Sequence, residues 1–543
     1  MKDGTYALGL DSSTQSLTAV VVDYDEGRVI FERSLDYARD ERLAGYGIDR
    51  RSYLVPPRVP GEADQPPAMY LASLDALFAD MRAEGFPLEK ITVVNVSGQQ
   101  HGHLYLRSEA RAIFARLKSA DARTSDLVAL LDGSLAYGTS PIWRTSNTVE
   151  EAEAIRRGVG GKTRIIELSG SDSPLRFTGA VVRRVARQFP EAYRDTAVIH
   201  LISSFLPAVL VGDPTIPTDF GNASGTSLMD YRKRVWSEEL VASAASGCPG
   251  GAAALREKLP PLAAPDTCIG SIAAYFVAKY GFAPDCRIAV GSGDNPQTKV
   301  LVAGDLLSLG TSFVFMVATG GEAVDLEGYA NGMYDGVGRP FMFGCRTNGA
   351  MVWDGVRARH GLAKGDYEPA ERALGSAAPG SSLFFWQPET ESFPVSPVFG
   401  EARLAGQEGG LAADYGGIVD STLAAVYVYS RHFAPESGGP LSVTGGATGS
   451  SQIMRRVAAL WRRPVVTIGK VGAALGSAVS GVSALRREGG GSKSSLPDPE
   501  ALSRKLLPQG TPRAPDPADI ALYHGPGGYL ERFRAEYPRL WAR

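Results

Sequence analysis

Short apolar runs separated by polar turns organise the chain from its first residues. Positions 6–10 are apolar, 11–16 polar and turn-forming, and 17–22 rich in β-branched side chains, which predicts strand, turn and strand. Positions 28–33 predict a third strand. Leu71, Leu74, Leu77 and Phe78 recur at helical spacing within 69–81, and 91–96 predicts a buried strand. That strand runs into Ser97-Gly98-Gln99-Gln100-His101-Gly102, a polar loop at a strand end. Alternating strands and helices predict an α/β protein, the class in which ligands bind at such strand ends.

The same grammar returns in the second half. Positions 306–319, LLSLGTSFVFMVAT, echo LGLDSSTQSLTAVVV near the start and suggest two related halves, each presenting a Gly/Ser/Thr turn. Positions 441–444 run into Gly445-Gly446, after which Ile453, Val457, Leu460 and Trp461 mark a helix face. Strand, glycine turn and helix together are a common way to receive a nucleotide. Pro260, Pro261 and Pro265 suggest a linker, and 488–495 (EGGGSKSS) reads as a flexible segment by composition. Tyr529, Phe533 and Tyr537, spaced by four, predict a packing stripe on a last helix.

Length and charge narrow the picture. At about 150 residues per domain, 543 residues mean three or four domains or a large two-domain enzyme. A net charge of -3 with both signs mixed leaves no electrostatic footprint for nucleic acid or anionic membrane. The opening apolar stretch is closed by Asp11, unlike a signal peptide. The apolar segment 197–211 is interrupted by His200, Ser203, Ser204 and Pro207, unlike a spanning helix. Four cysteines without CxxC spacing read as structural thiols of a reducing cytoplasm.

Phosphate chemistry needs close backbone amides, small hydroxyls and a carboxylate for Mg2+. Asp11-Ser12-Ser13-Thr14-Gln15-Ser16 offers all of them in one turn, and Ser308-Leu309-Gly310-Thr311-Ser312 forms a similar one. Gly158 to Thr163 imitates the end of a phosphate-binding P-loop, but the required first glycine is Arg156 and the preceding sequence is helical, so a helix-ending turn is expected. His101 and His103 would share a face in a strand; with no third ligand nearby, a hydrogen-bonding role toward a polar small molecule fits better than metal binding. Gly291-Ser292-Gly293-Asp294-Asn295 places a carboxylate at a strand end, where it can cap the next helix, act in chemistry, or both.

The pieces LGLDSSTQS, VSGQQHGH, SPIWRTSNT, LSGSDSPLRFTGAVVRRVARQFPEAY, HLISSFLPAVLVG, GNASGTSLMD, GSGDNPQ, LSLGTS and VTGGATGS run in order along almost the whole chain. Together they resemble the FGGY family of carbohydrate kinases, and within it the xylulokinases of eukaryotic type. The resemblance implies an α/β, actin-like ATPase fold in which two RNase-H-like domains flank a catalytic cleft. Residues 1–303 would be the sugar-binding domain with the catalytic Asp, and 304–543 the ATP-binding domain. It implies transfer of phosphate from ATP, with Mg2+, to D-xylulose, giving D-xylulose 5-phosphate. Asp294 would take the proton from the attacking hydroxyl, beside Gln100, His101, Arg176 and Asn295 as sugar contacts. Asp11 would hold Mg2+ through water, and Thr14 and Gln15 would face the phosphates. Gly310, Thr311 and Ser312 would form the second phosphate turn, Gly445, Gly446 and Ser450 would border adenosine, and Tyr367 would stack near ATP.

Two departures touch the choice of sugar. The family's Trp-x-Asp reads Trp143-Arg144-Thr145, and its Ser-Asp-Ala/Gly reads Gly221-Asn222-Ala223. Each loses a carboxylate, which leaves kinases of another ketose or polyol, ribulose or fuculose among them, as the rival reading. Asp11 and Asp294 are both retained, which argues against a non-catalytic sugar- or ATP-binding regulator. The implied partners are the sugar and ATP alone, in the cytoplasm, with a homodimer as the candidate assembly and neither nucleic acid nor membrane.

Overall fold

The structure, a computed structural model, describes residues 5–404, 409–434, 439–469, 471–491 and 495–541. Of the expected flexible segment, Glu488 ends a helix and 492–494 lie outside the described residues. The chain gathers into two compact units. One comprises Met1–Leu301, Gly332–Pro340 and Val471–Leu506; the other comprises Val302–Asn331, Phe341–Lys470 and Leu507–Arg543. The units are therefore not two successive stretches, because 332–340 and 471–506 fold with the first. The linker expected at Pro260, Pro261 and Pro265 is instead interior to the first unit. There Leu262–Ala263 pairs with Thr218–Asp219, and Trp236 Nε1 donates to the Pro260 carbonyl at 2.6 Å. Those prolines end strands and turns within one unit rather than separating two.

Among the described residues, the first unit's main sheet has seven strands. Cys268–Ser271, Arg287–Ala289, Ile91–Gly98, Tyr6–Ser12, Ser16–Asp23 and Arg28–Asp36 lie side by side, and Ser292–Gly293 joins the end of Ile91–Gly98. Tyr6–Ser12 pairs antiparallel with its hairpin partner and parallel with Ile91–Gly98. The polar turn predicted over 11–16 narrows to 13–15, because Ser13 N–H donates to the Ser16 carbonyl at 2.9 Å and both strands extend toward it. The helix Pro67–Ala83 buries Met69, Leu74, Leu77, Phe78 and Met81, as its spacing requires. Phe78 meets Phe282 edge to face at 5.0 Å. On Tyr6–Ser12, Ser16–Asp23 and Ile91–Gly98 also packs the helix Ala473–Glu488, which comes far later in the sequence.

In the second unit, Pro340–Arg346, Phe313–Ala318, Leu306–Leu309, Leu441–Thr444 and Val465–Thr467 lie in that order. Two antiparallel pairings are followed by two parallel ones, the sequence of pairings that Arg28–Asp36, Ser16–Asp23, Tyr6–Ser12, Ile91–Gly98 and Arg287–Ala289 show in the first unit. The echo between 8–22 and 306–319 is thus matched by topology. The helix Ser451–Trp461 buries Ile453, Val457, Leu460 and Trp461. Tyr529, Phe533 and Tyr537 are buried and stack along one another, with Phe533 and Tyr537 at 4.9 Å. The false P-loop is a turn between two helices, Val149–Gly158 and Lys162–Ser169, with Gly160 and Gly161 left-handed. Among the described residues no helix is long and apolar enough to cross a membrane.

Candidate active site

The first unit gathers Gln100, His101, Asp294 and Asn295 at one end of the Ile91–Gly98 strand. Its sheet brings them together by register: Ser292–Gly293 pairs with Ser97–Gly98, so the residue after Gly293 emerges beside the loop after Gly98. Gly293 occupies the cap position of the helix Asp294–Val300, and Asp294 is the first helical residue. Its carboxylate is therefore beside the cap rather than at it. Oδ1 accepts from the Asn295 N–H at 2.8 Å and from Asn295 Nδ2 at 3.0 Å. The same Nδ2 donates to Gln100 Oε1 at 3.0 Å, closing a small ring of polar groups. Burial pushes the Asp294 carboxyl up to about 6, against those amide donors, which favour the ionised form.

His101 lies outside any strand, with a left-handed φ of 68°, so it shares no face with His103. Its Nδ1 is 2.8 Å from the Gly225 carbonyl, an acceptor only, so Nδ1 carries the proton and Nε2 is left as an acceptor. The ring stacks on Phe177 at 4.5 Å, and His103 Nδ1 donates to the His101 carbonyl at 2.9 Å. Burial, then the charge of Arg176, holds His101 down at about 3, so the ring is neutral at physiological pH. Gly225 permits this: a Cβ there would sit 2.9 Å from His101 Cε1. Among the described residues no group of three or more His, Cys, Asp or Glu is placed to hold a metal ion.

Asp11 lies opposite Ser97 on the neighbouring strand, and Ser97 is in turn opposite Ser292. Burial, then the charge of Asp294, raises Asp11 to about 7. One of its buried carboxylate oxygens has no hydrogen-bond partner. Such an oxygen is costly unless a cation or donor reaches it. Thr14 Oγ1 donates to Gln99 Oε1 at 3.0 Å and accepts from Trp143 Nε1 at 2.8 Å. The Gln15 side chain is exposed; its carbonyl accepts from the Tyr37 N–H and its own N–H donates to Ser13 Oγ at 3.3 Å.

In the second unit, Gly310, Thr311, Tyr367, Gly446 and Ser450 line a cavity of about 560 Å3. Leu309, Ala350, Trp353, Ala370, Tyr415 and Ile453 give it apolar walls. Ser312 follows Thr311 in the exposed turn, and Gly445 adjoins Gly446. Gly445 has φ 103°, and a Cβ there would lie 2.5 Å from the Leu309 carbonyl oxygen. This glycine lets the two turns of the unit approach backbone to backbone. Tyr367 is 58% exposed, with the Arg357 guanidinium 4.4 Å from its ring centre.

Several residues of these clusters escaped sequence reasoning. Glu371 accepts from Ser451 Oγ and the Gln452 N–H, and so blocks the start of the Ser451–Trp461 helix with its own carboxylate. Nothing local in the sequence marks it. Gln99 donates to Gln65 Oε1 at 2.7 Å, tying the Thr14 turn to the Asp64–Gln65 strand. Asp219, buried behind Gly293, had a readable signal: an Asp three residues before Asn222 is a helix cap, and its Oδ2 accepts the Asn222 N–H at 2.9 Å. Thr145, at the first departure noted above, is buried and donates to the Ala63 carbonyl at 3.2 Å.

Comparison with known proteins follows the same outline. The model of the FGGY family of carbohydrate kinases, N-terminal domain, matches residues 136–300. The chain is 30% identical over 501 residues to xylulose kinase 2 of Arabidopsis thaliana, covering 87% of this chain and 86% of that one. It is 32% identical over 321 residues to a probable D-xylulose kinase A of Neosartorya fischeri, covering 58% of this chain and 54% of the relative. The chain thus spans about half the length of that and similar fungal relatives. The crystal structure of xylulose kinase from Rhodospirillum rubrum matches with a TM-score of 0.78 at 16% identity, over 99% of this chain and 100% of that one, a likeness of fold.

Proposed function

The chain belongs to the FGGY family of carbohydrate kinases, and on that premise we propose that it transfers the terminal phosphate of ATP to D-xylulose, giving D-xylulose 5-phosphate. The sugar binds on the first unit at Gln100, His101, Arg176 and Asn295, and ATP binds in the cavity of the second. The observation that carries the reading is Asp294, a carboxylate raised to about 6 and fixed by amide donors beside a neutral histidine. A group with that pKa is ionised at neutral pH yet basic enough to take a proton, as a general base requires.

Asp294 removes the proton from the attacking hydroxyl as the phosphoryl group is transferred. Nε2 of His101, left as an acceptor, receives a hydrogen bond from a second sugar hydroxyl, while Asn295 and Gln100 hold the carboxylate's orientation. The Thr14 N–H and the exposed Gln15 side-chain amide in the first turn, and the N–H and hydroxyl groups of Gly310, Thr311 and Ser312 in the second, offer donors to phosphate oxygens. Tyr367 flanks the base, and Gly445, Gly446 and Ser450 border the ribose. The unpartnered oxygen of Asp11 fits Mg2+, which takes one or two carboxylates and keeps phosphate and water as its other ligands. When bound, the ion offsets charge on the phosphate oxygens.

ADP release measured over a panel of ketoses and polyols tests the reading. D-xylulose should give the highest kcat/KM; a better substrate such as ribulose would move the sugar, and no sugar-dependent ADP from any of them would overturn the kinase. The nucleotide half has its own test. Gly445→Ala forces a Cβ against the Leu309 carbonyl at a left-handed φ. It should raise the KM for ATP by about tenfold, the cost of distorting one binding turn, and move the KM for the sugar little. An unchanged ATP KM would remove Gly445 from the nucleotide site.

A further inference from the structure

Asp219 is absorbed by none of the steps above, although it lies directly behind them. It is fully buried, and so is its partner Ser292, whose Oγ donates to Asp219 Oδ2 at 2.7 Å. Ser292 is two residues before Asp294, in the two-residue strand held on its other side by Ser97 and Gly98. The same Oδ2 accepts the Asn222 N–H and caps the helix Phe220–Ala223. That helix leads directly into Gly225, whose carbonyl sets the tautomer of His101.

Close packing surrounds this link. A Cβ on Gly221 would fall 2.6 Å from Asp219 Oδ2 and 3.1 Å from Ser292 Oγ, so only glycine leaves room for the bond. Asn222 Nδ2 donates to Ser203 Oγ at 2.6 Å, and its Oδ1 stands 2.9 Å from where a Gly293 Cβ would be. Burial pushes the Asp219 carboxyl up to about 7 and leaves its other oxygen without a hydrogen-bond partner, so this carboxyl is costly to keep where a neutral, well-packed side chain would not be.

We infer that Asp219 is a positioning residue of the sugar site: one buried carboxyl ties the strand that carries Asp294 to the turn that orients His101, and so fixes the base relative to the bound sugar. The inference rests on the reading of Asp294 as the base. It gives Asp219 two separable arms. The Ser292 bond holds the base; the cap on Asn222 holds the turn beneath His101. Displacement of a base by about 1 Å can cost up to about a hundredfold in rate, so even a small loosening is measurable.

Ser292→Ala removes one hydroxyl and only the first arm. With rates counted per sugar-binding site by calorimetric titration, its kcat should fall about tenfold with the sugar KM within twofold. Asp219→Ala removes both arms, and should lower kcat similarly while raising the sugar KM about fivefold or more. In the Asp219→Ala background, Ser292→Ala should cost nothing further, because the bond is already gone. A wild-type kcat per site in Ser292→Ala overturns the inference, and so does a tenfold loss that persists undiminished in the double variant. If Asp219→Ala does not fold, Ser292→Ala still decides. Asp294→Asn, measured alongside, separates the two readings. Near-normal turnover in that variant removes the base itself, whereas its loss with Ser292→Ala unaffected removes only the positioning role.

Discussion

Asp294→Asn should lower kcat by about a thousandfold, within the usual range for loss of a general base, while the KM for sugar and ATP changes only a few-fold. Asn keeps the shape and still accepts from the Asn295 N–H, so what disappears is the basic site and its charge. The wild-type pH profile should share that cause. Burial sets the Asp294 carboxyl at about 6, and a general base acts only when ionised. Log kcat/KM should therefore be level above that pH and fall by about one unit per pH unit below it, since kcat/KM reports the free enzyme. Stability should move the other way. A carboxyl whose folded pKa is raised favours the fold below its unfolded value, near 3.8, and that contribution is lost as pH rises through about 6. Asp294→Asn removes the buried charge and its repulsion of Asp11, so Tm at pH 8 should rise while turnover falls. Measured by ADP release and by thermal unfolding across pH 4 to 8, turnover within tenfold of wild type would refute the base, and a lowered Tm would refute the electrostatic account.

How much of this was legible in the sequence follows from the range over which each feature is determined. The strands ending at Ser12, Gly98 and Leu309 were readable because apolar runs, β-branched residues and polar turns are local signals. Asp294 could be read as a carboxylate at a strand end, but its distinction from a helix cap could not. That rested on Gly293 taking the cap position and on Gln100, 194 positions earlier, accepting from the same Asn295 amide that donates to the carboxylate. His101 was legible as a hydrogen-bonding residue in the polar loop at a strand end, but not its backbone conformation. Its left-handed φ accompanies a ring bond to Gly225 and a stack on Phe177, partners that the local sequence does not show. The return of 332–340 and 471–506 to the first unit escaped for the same reason. Nothing within 471–506 says that it packs on residues 6–12; the gaps that Gly9 leaves for Ala474 and Gly476 leaves for Gln297 show only once the chain is folded.

Those gaps carry the largest structural effect expected in the molecule. A Cβ on Gly476 would lie 1.8 Å from the Gln297 carbonyl oxygen and 2.5 Å from its carbon. On the other side, a Cβ on Gly9 would lie 1.8 Å from the Ala474 carbonyl oxygen. Both collisions are with backbone, so no rotamer change relieves them; the helix Ala473–Glu488 must move off the strand or off the helix Asp294–Val300. Overpacking of this kind costs about 3 kcal/mol or more, and Gly476→Ala should lose it despite alanine's better helix propensity. The chemistry should suffer as well, because Gly9 is two residues before Asp11 and Gln297 three after Asp294. A helix forced outward therefore shifts both carboxylates relative to each other. Gly481→Ala, on the same helix, meets Asn95 Cβ at 3.3 Å and Val93 methyls at 3.4 Å, contacts that side chains can absorb. It should keep Tm and turnover near wild type. Denaturant unfolding and ADP release on the two variants decide the matter: equal stability and equal turnover in Gly476→Ala and Gly481→Ala would mean that the close approach of this helix does not hold the carboxylates in place.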